Sequence, residues 1–280
     1  MANLKQQNSH AMGLHDEQLT GRTQQVFFSA EENENLIYPG SFEVDFSKSA
    51  EVDAIDLNAS AVNLEIRRLM AEGYGSITVR NPRAKHSLGV GILNRLQLTF
   101  DGSLGYFGVG LIDGPNVRIT GRVGWSCAEN MMAGTVVIEK NAGSTFGAAI
   151  RGGDLVCKGD VGSRTGIDQK GGTIIVGGRT GAFSGFMMQR GRMIILGDAG
   201  INLGDSMYDG SIYVGGKIAG LGVDAIEGDM TDLDVHWINN KLSLYGLESP
   251  HGVENMTKIV AGKQLWNYDN LEPTEKKLVL

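Results

Sequence analysis

Residues 181–199 read GAFSGFMMQRGRMIILGDA: three glycines in eleven residues, four bulky apolar residues, then Gly-Asp. Taken alone, glycines beside an apolar strand suggest a phosphate or dinucleotide loop. The neighbouring sequence gives them another meaning. Gly181 has counterparts at Gly105, Gly124, Gly143, Gly162 and Gly200, on a constant period of 19 residues. Three further registers keep that spacing. One holds Gly147, Gly166, Gly185 and Gly204, a second Gly134, Gly153, Gly172, Gly191 and Gly210, and a third Gly159, Gly178, Gly197 and Gly216.

The apolar run repeats on the same period. One column reads Leu98, Val117, Val136, Leu155, Ile174, Met193, Ile212, and the column two residues later reads Phe100, Ile119, Ile138, Cys157, Val176, Ile195, Val214. Every member of both is apolar. The column between them, Thr99, Arg118, Val137, Val156, Ile175, Ile194 and Tyr213, admits charge. Alternation with a period of two is that of a β-strand with one buried face. Met193 and Ile195 are therefore expected in the core, with Ile194 facing solvent or a partner.

Nineteen residues with one clear strand are too few for a propeller blade or a helix pair. They suit one coil of a β-solenoid with glycines at its corners. The expected fold is all-β, a single-stranded right-handed β-helix of about seven 19-residue coils with flanking N- and C-terminal helical caps. The repeat reaches back to SITVRN at 76–81. Seven coils at about 4.8 Å each make a rod about 34 Å long. Four segments follow: a polar N-terminal arm at 1–45, a capping segment with a helix at 46–75, the glycine-repeat β-helix at 76–230, and a C-terminal cap and tail at 231–280.

Both ends of a solenoid expose strand edges that need cover. The N-terminal candidate is the helix in Asn58–Glu72, with Val62, Ile66 and Leu69 on one face, Asn58 or Ser60 as cap and Gly73 as stop. The C-terminal candidate is a helix within Thr231–Leu247 anchored by Leu233, Trp237, Leu242 and Leu244. The polar arm has the composition of a segment that wraps a partner.

Composition agrees with a folded chain. Glycine accounts for 41 of 280 residues, roughly twice its usual share, while prolines number five and no Gly-X-Y period exists. Net charge is −7 and no basic stripe is present, which counts against nucleic acid. The start MANLKQQNSH lacks an apolar signal region, and no apolar run approaches the ~20 residues that span a bilayer. A cytoplasmic protein without membrane attachment is expected. Two cysteines, Cys127 and Cys157, are too few for a disulfide framework.

The side chains able to do chemistry read as parts of the scaffold. GLGVDA at 220–225 fits a dinucleotide fingerprint, but it follows a solenoid coil and no long helix comes after it. Cys157 falls in the inner column and reads as a small hydrophobe. Cys127, in WSCAENMM, reads as structural and partly exposed. None of His10, His15, His86, His236 and His251 lies at i, i+3 or i, i+4 spacing from another His, Cys or carboxylate in a recognisable ligand set. Asp198 and Asp205 lie on one coil, where corner aspartates bond backbone amides. The corner column Asn141, Asp160, Arg179, Asp198, Lys217 changes sign from coil to coil, unlike a ladder of bound ions. No catalytic, cofactor-binding or metal-binding residue is expected on this chain.

The repeats GDLVCKGDVGSRTGIDQKGG (153–172) and GDAGINLGDSMYDGSIYVGG (197–216) resemble the glycine-repeat (GXGXG) β-helix domain that ends the large subunit of glutamate synthase. NPRAKHSLGVGI (81–92), AENMMAG (128–134) and KQLWNYDN (263–270) resemble the free-standing version of that domain, the small β-helix subunit of N-methylglutamate synthase and related glutamate-synthase-like complexes. Two departures stand out: Thr165 and Asp168 replace a cysteine and a serine of many relatives, and the N-terminal arm is long. The resemblance implies a non-catalytic structural subunit in a hetero-oligomer of methylamine metabolism. It places a class II glutamine amidotransferase-like subunit and an FMN-binding synthase-like subunit beside this chain, with FMN and an iron–sulfur cluster on a partner. The same superfamily includes the glycine-repeat subunit of formylmethanofuran dehydrogenase and that of the formyltransferase/hydrolase complex, which is the alternative. A stand-alone binding or self-assembling solenoid is the alternative of another class.

Overall fold

The computed structural model describes residues 42–265. The arm expected at 1–45 and the tail motif at 263–270 lie largely outside them. Eleven strands form one sheet: β1 (Asp45–Asp53), β2 (Tyr74–Arg80), β3 (Gln97–Asp101), β4 (Asp113–Ile119), β5 (Ala133–Ile138), β6 (Asp154–Cys157), β7 (Lys170–Val176), β8 (Arg190–Ile195), β9 (Ser211–Val214), β10 (Ala225–Gly228) and β11 (Thr257–Ala261). Their spatial order is β1 through β9, then β11, then β10.

Strands β1 to β9 are parallel, each the next coil of the solenoid. The pairing joins Val117 to Val136, Leu155, Ile174, Met193 and Ile212 in turn, so the column read from sequence is a physical stack. Ile138, Cys157, Val176, Ile195 and Val214 form the second stack. From β3 to β9 the coils keep the 19-residue step apart from irregularities at Asp113 and Lys170, whereas Ser76 pairs with Gln97, 21 positions on, and Ser49 pairs with Ser76, 27 positions on.

A coil turns back through a segment of alternating left-handed residues. In the opening stretch these are Phe183 (φ 58°), Gly185 (φ 71°) and Met187 (φ 53°). Backbone bonds to both neighbouring coils hold them there: Phe183 N–H donates to Ile201 O at 2.9 Å, Gly185 N–H to Thr165 O at 2.8 Å and Met187 N–H to Asp205 O at 2.9 Å. Left-handed backbone is thus not confined to glycine. Gly181 has another reason to be glycine. A Cβ there would lie 2.6 Å from Ser163 N and 2.8 Å from Gly162 C in the coil below. One glycine register supplies conformation and another lets coils approach.

The interior is filled by the chain's own side chains. Besides the strand columns, it holds Cys127, Phe146, Thr165, Ser184 and Leu203 in one row and Met131, Ile150, Gln169, Met188 and Met207 in another, all buried.

Helix α1 (Ala59–Ala71) falls where the sequence places it. Asn58 Oδ1 accepts from Ala61 N, and Val62, Ile66, Leu69 and Met70 are buried. It packs on β1 and β2. At the C-terminal end of the sheet, however, the edge is closed by strands. Beyond β9, β11 pairs antiparallel, and β10 pairs antiparallel with β11.

Helix α2 (Asp232–Leu244) starts at Thr231, whose capping box with Asp234 satisfies both ends of the first turn. It lies on the outer face of the solenoid sheet. Two expectations change here. Ile194 faces neither solvent nor another chain. It is buried with Val156, Ile175 and Tyr213 beneath Ile238, Leu242, Val253 and Met256. Leu233 and Leu244 are not anchors, being 82% and 68% exposed. The buried face runs Asp234, Ile238, Leu242 at the i, i+4, i+8 spacing of one helix side, and positions 233 and 244 fall off it.

Candidate functional site

The strongest polar constellations are two clips that hold α2 to the rod. In the first, Lys241 Nζ lies 2.6 Å from Asp154 Oδ2, and Tyr245 Oη donates to the same oxygen at 2.5 Å. Burial, and then the Asp154 carboxylate, push the Tyr245 hydroxyl well above its usual range. In the second, Asp234 accepts from Tyr213 Oη at 2.6 Å, Lys258 Nζ at 2.8 Å, and Thr231 Oγ1 at 2.8 Å. Burial alone would raise the Asp234 carboxyl, but the Lys258, Tyr213 and Thr231 donors hold it far below the ordinary carboxylate value. Burial and Asp234 push Tyr213 up to about 12. Both oxygens of Asp234 are thus engaged in docking a helix.

Cys157 is buried in its inner column, its Sγ 3.0 Å from Lys140 O, and burial pushes its thiol up to about 12. A thiol so raised carries almost no thiolate near neutrality. Cys127 is fully buried rather than partly exposed as expected, and burial raises it further. Its column shares the interior with Phe146 and Leu203, so position 127 points into the rod. Both cysteines are free.

The corner carboxylates bond backbone. Asp198 Oδ1 accepts Lys217 N–H at 2.8 Å, one coil on, and Asp205 accepts Val223 N–H at 3.1 Å. Asp160 accepts Arg179 N–H at 2.8 Å and pairs with its guanidinium at 3.0 Å. The sign-changing corner column is therefore a line of coil-to-coil hydrogen bonds. Among the histidines, His86 Nδ1 accepts from Tyr106 N at 2.8 Å and His236 meets Asn240 at 3.0 Å. His10 and His15 lie outside the described residues. Among the described residues no three His, Cys, Asp or Glu side chains come together as a metal-holding group.

GLGVDA is the junction between the last coil and the tail. A Cβ on Gly222 would lie 2.3 Å from Asp205 Cα, and the Asp224 carboxylate accepts Gln264 N–H at 3.0 Å and Leu265 N–H at 2.9 Å. Strand β10 follows it, not the helix that a dinucleotide site requires.

Sequence reasoning passed over Gln169. It is fully buried in a row otherwise built from Met and Ile. Its Nε2 donates to Gly171 O at 3.0 Å and Gly172 O at 3.2 Å, while Oε1 has no partner among the described residues. The break in an apolar 19-residue column was the available signal. On the outer face, where α2 ends, a groove of about 520 Å³ is lined by Gln97, Thr99, Arg118, Glu139, Lys158 and Tyr245. Arg118 and Lys158 both pair with Glu139, at 2.9 and 3.0 Å, so a single carboxylate is shared by two cations.

Comparison with known proteins agrees with this geometry. A family model described as the GXGXG motif matches residues 83–235. Protein GlxC of Rhizobium meliloti (strain 1021) is 46% identical over 63 residues, a match covering 22% of this chain and 28% of that protein. A chain of the formyltransferase/hydrolase complex (FhcABCD) from Methylorubrum extorquens, solved with methylofuran, superposes with a TM-score of 0.52 at 20% identity, over 74% of this chain and 88% of that one. At that identity the likeness is one of fold. Among the described residues no helix is long and apolar enough to cross a membrane. With the family model covering more than half of its length, and the repeated glycines acting as coil corners and coil contacts, this chain belongs to the GXGXG-motif family.

Proposed function

We propose that this chain is a non-catalytic, structural β-helix subunit of a hetero-oligomeric glutamate-synthase-like enzyme, in particular an N-methylglutamate synthase. The observation that carries the reading is that the groups able to do chemistry are already committed to the fold. Cys127 and Cys157 are buried, Asp154 and Asp234 clip a helix, and Asp198 and Asp205 bond backbone. Amino or methylamino transfer onto a glutamate skeleton then belongs to partner chains. One is a class II glutamine amidotransferase-like subunit; the other, synthase-like, binds FMN and an iron–sulfur cluster. The local identity to GlxC and the likeness to a chain from a multi-subunit complex support subunit status. The whole assembly works in the cytoplasm.

Affinity purification of the tagged chain from its native host, with the co-purifying polypeptides identified by mass spectrometry, tests this. The expected result is the amidotransferase-like and FMN-binding subunits in fixed ratio, with flavin absorbance in the complex. A second reading, the glycine-repeat subunit of a formyltransferase/hydrolase or formylmethanofuran dehydrogenase complex, draws on the FhcABCD likeness. Recovery of those subunits instead would replace the first reading. A chain that purifies alone on size exclusion would overturn both in favour of a stand-alone solenoid.

A further inference from the structure

One corner of the rod carries a short stack of rings. His86 stacks on Tyr106 with centroids 4.8 Å apart, and Tyr106 stacks on Trp125 at 5.5 Å. Tyr106 and Trp125 each lean over a glycine of the following coil: a Cβ on Gly124 would lie 2.5 Å from Tyr106 Cδ1, and one on Gly143 would lie 2.5 Å from Trp125 Cδ1. The stack then stops, because the next positions of that column are Ser144 and Ser163. Phe107 and Leu111 extend the same face. Tyr106, Phe107, Leu111 and Trp125 are 44–57% exposed. One and two coils on, Phe107 is matched by Ser126 and Thr145, and Leu111 by Asn130 and Ala149. A low ledge of small side chains therefore adjoins the exposed side of Trp125.

Four large apolar side chains on two adjacent coils form a patch of the kind that solvent-facing surface rarely keeps. Its charged border has a sign. Arg83 and Arg122 each precede a ring of the stack by three residues, and both are exposed. The arginines in ion pairs among the described residues are Arg68, Arg80, Arg118 and Arg179, which leaves these two outside any such pair. Three acids lie in these coils: Asp53, close enough to Arg83 to feel its charge, Glu129, and Asp101, which accepts from Thr120 Oγ1 at 3.1 Å and is paired with Arg80. Guanidinium groups outside any ion pair, beside Trp and Tyr on a chain of net charge −7, complement an acidic surface. Trp, Tyr and Arg are also the residues that dominate interface energetics.

The geometry points to this corner as the seat of an acidic segment with apolar side chains on a partner subunit, an apolar group resting on the Trp125 ledge and carboxylates meeting Arg83 and Arg122. The inference rests on the reading of this chain as a subunit. Its test uses the full-length tagged chain purified from its host as wild type, Trp125→Ala, Arg122→Glu and Arg122→Lys, with Arg179→Glu as a distant charge control. Partner subunits are quantified by mass spectrometry against the bait, and thermal midpoints establish that each variant is folded. Trp125→Ala and Arg122→Glu are expected to recover the amidotransferase-like or synthase-like subunit at least tenfold less than wild type, with Arg122→Lys and Arg179→Glu near wild type. A photo-crosslinker at position 107 should join a peptide of net negative charge in that subunit. Wild-type recovery by both Trp125→Ala and Arg122→Glu, or crosslinking only to a second copy of this chain, overturns this surface and leaves the subunit reading standing. If the wild-type chain recovers neither subunit, the subunit reading falls, and this surface falls with it.

Discussion

The Tyr213 hydroxyl donates a 2.6 Å hydrogen bond to Asp234, tying the last parallel strand of the solenoid to the first turn of the helix laid across it. Lys258 of β11 reaches the same carboxylate at 2.8 Å, so one acidic side chain gathers a coil, a helix and the closing strand.

Removing that carboxylate should loosen all three elements. Asp234→Ala leaves Lys258 and Tyr213 largely buried without their acceptor, and breaking a buried pair costs about 3–5 kcal/mol. Urea unfolding followed by circular dichroism measures the loss. A change under about 1 kcal/mol would mean the clip is dispensable.

The same contact sets a pH dependence at both extremes. Asp234 has its folded pKa depressed, so its contribution is present above the unfolded value near 3.9 and declines as pH falls below it toward the folded value. Tyr213 is raised to about 12, so its contribution is full below an unfolded value near 10 and is lost as pH rises through 12. Thermal midpoints from pH 2 to 12 should fall at both ends. Asp234→Asn should flatten the acid limb and only reduce the alkaline one, because burial is the larger cause of the Tyr213 shift.

Cys157→Ala is expected to cost about 1–3 kcal/mol as a buried truncation, and turnover of the assembled enzyme should be intact. Native protein at pH 8 should resist thiol reagents and react only on unfolding, since burial lifts this thiol to about 12. Complete loss of turnover in a folded, assembled mutant would show that the rod has a chemical role.

Glycine substitutions should divide by contact. Gly181→Ala drives a methyl to 2.6 Å from Ser163 N in the adjacent coil, while nothing lies within 4 Å of a Cβ on Gly220. The first should cost about 1–3 kcal/mol or more as overpacking, the second under about 0.5 kcal/mol. Equal melting temperatures for the two would contradict coil contact as the reason for the glycine.

The outer column should show a break along its length. Ile194→Ala removes a side chain buried under α2 and should cost about 2–5 kcal/mol. Thr99→Ala, in the same column on uncovered sheet, should stay within about 0.5 kcal/mol. Protease cleavage within 232–247 should accelerate for Ile194→Ala alone.

Much of the rod was legible in the sequence. The two inner columns became the observed register because a 19-residue period leaves little choice when each coil must stack its strand on the last. Helix α1 was legible from Asn58 and the Val62, Ile66, Leu69 spacing. Cys157 and the corner aspartates were placed correctly by the same column logic. Cys127 was misjudged, because its segment has left-handed alternation and lacks the strand period that marks an inner position. The N-terminal arm lies outside the described residues.

The C-terminal helix was expected, but its placement over the outer face was not, yet the trace of that placement was in the sequence. The outer column changes from Thr99 and Arg118 to Val137, Val156, Ile175, Ile194 and Tyr213, and the apolar part is the part α2 covers. That pattern says something lies there without saying what, since a period of two reports burial and not the identity of the neighbour.

Sequence alone determined the solenoid, its period, its interior columns and the glycine registers, because a repeat forces every coil to solve the same packing problem locally. The tertiary structure alone decided which glycines serve backbone conformation and which serve coil contact, and that Asp154 and Asp234 pin α2 across the outer face. It also decided that strands close the far edge of the sheet and that the ring stack ends at Trp125 beside an open ledge. Those outcomes depend on groups brought together from as far as 91 positions apart, as Asp154 and Tyr245 are. No local period encodes such contacts, which depend on where the folded chain places each surface.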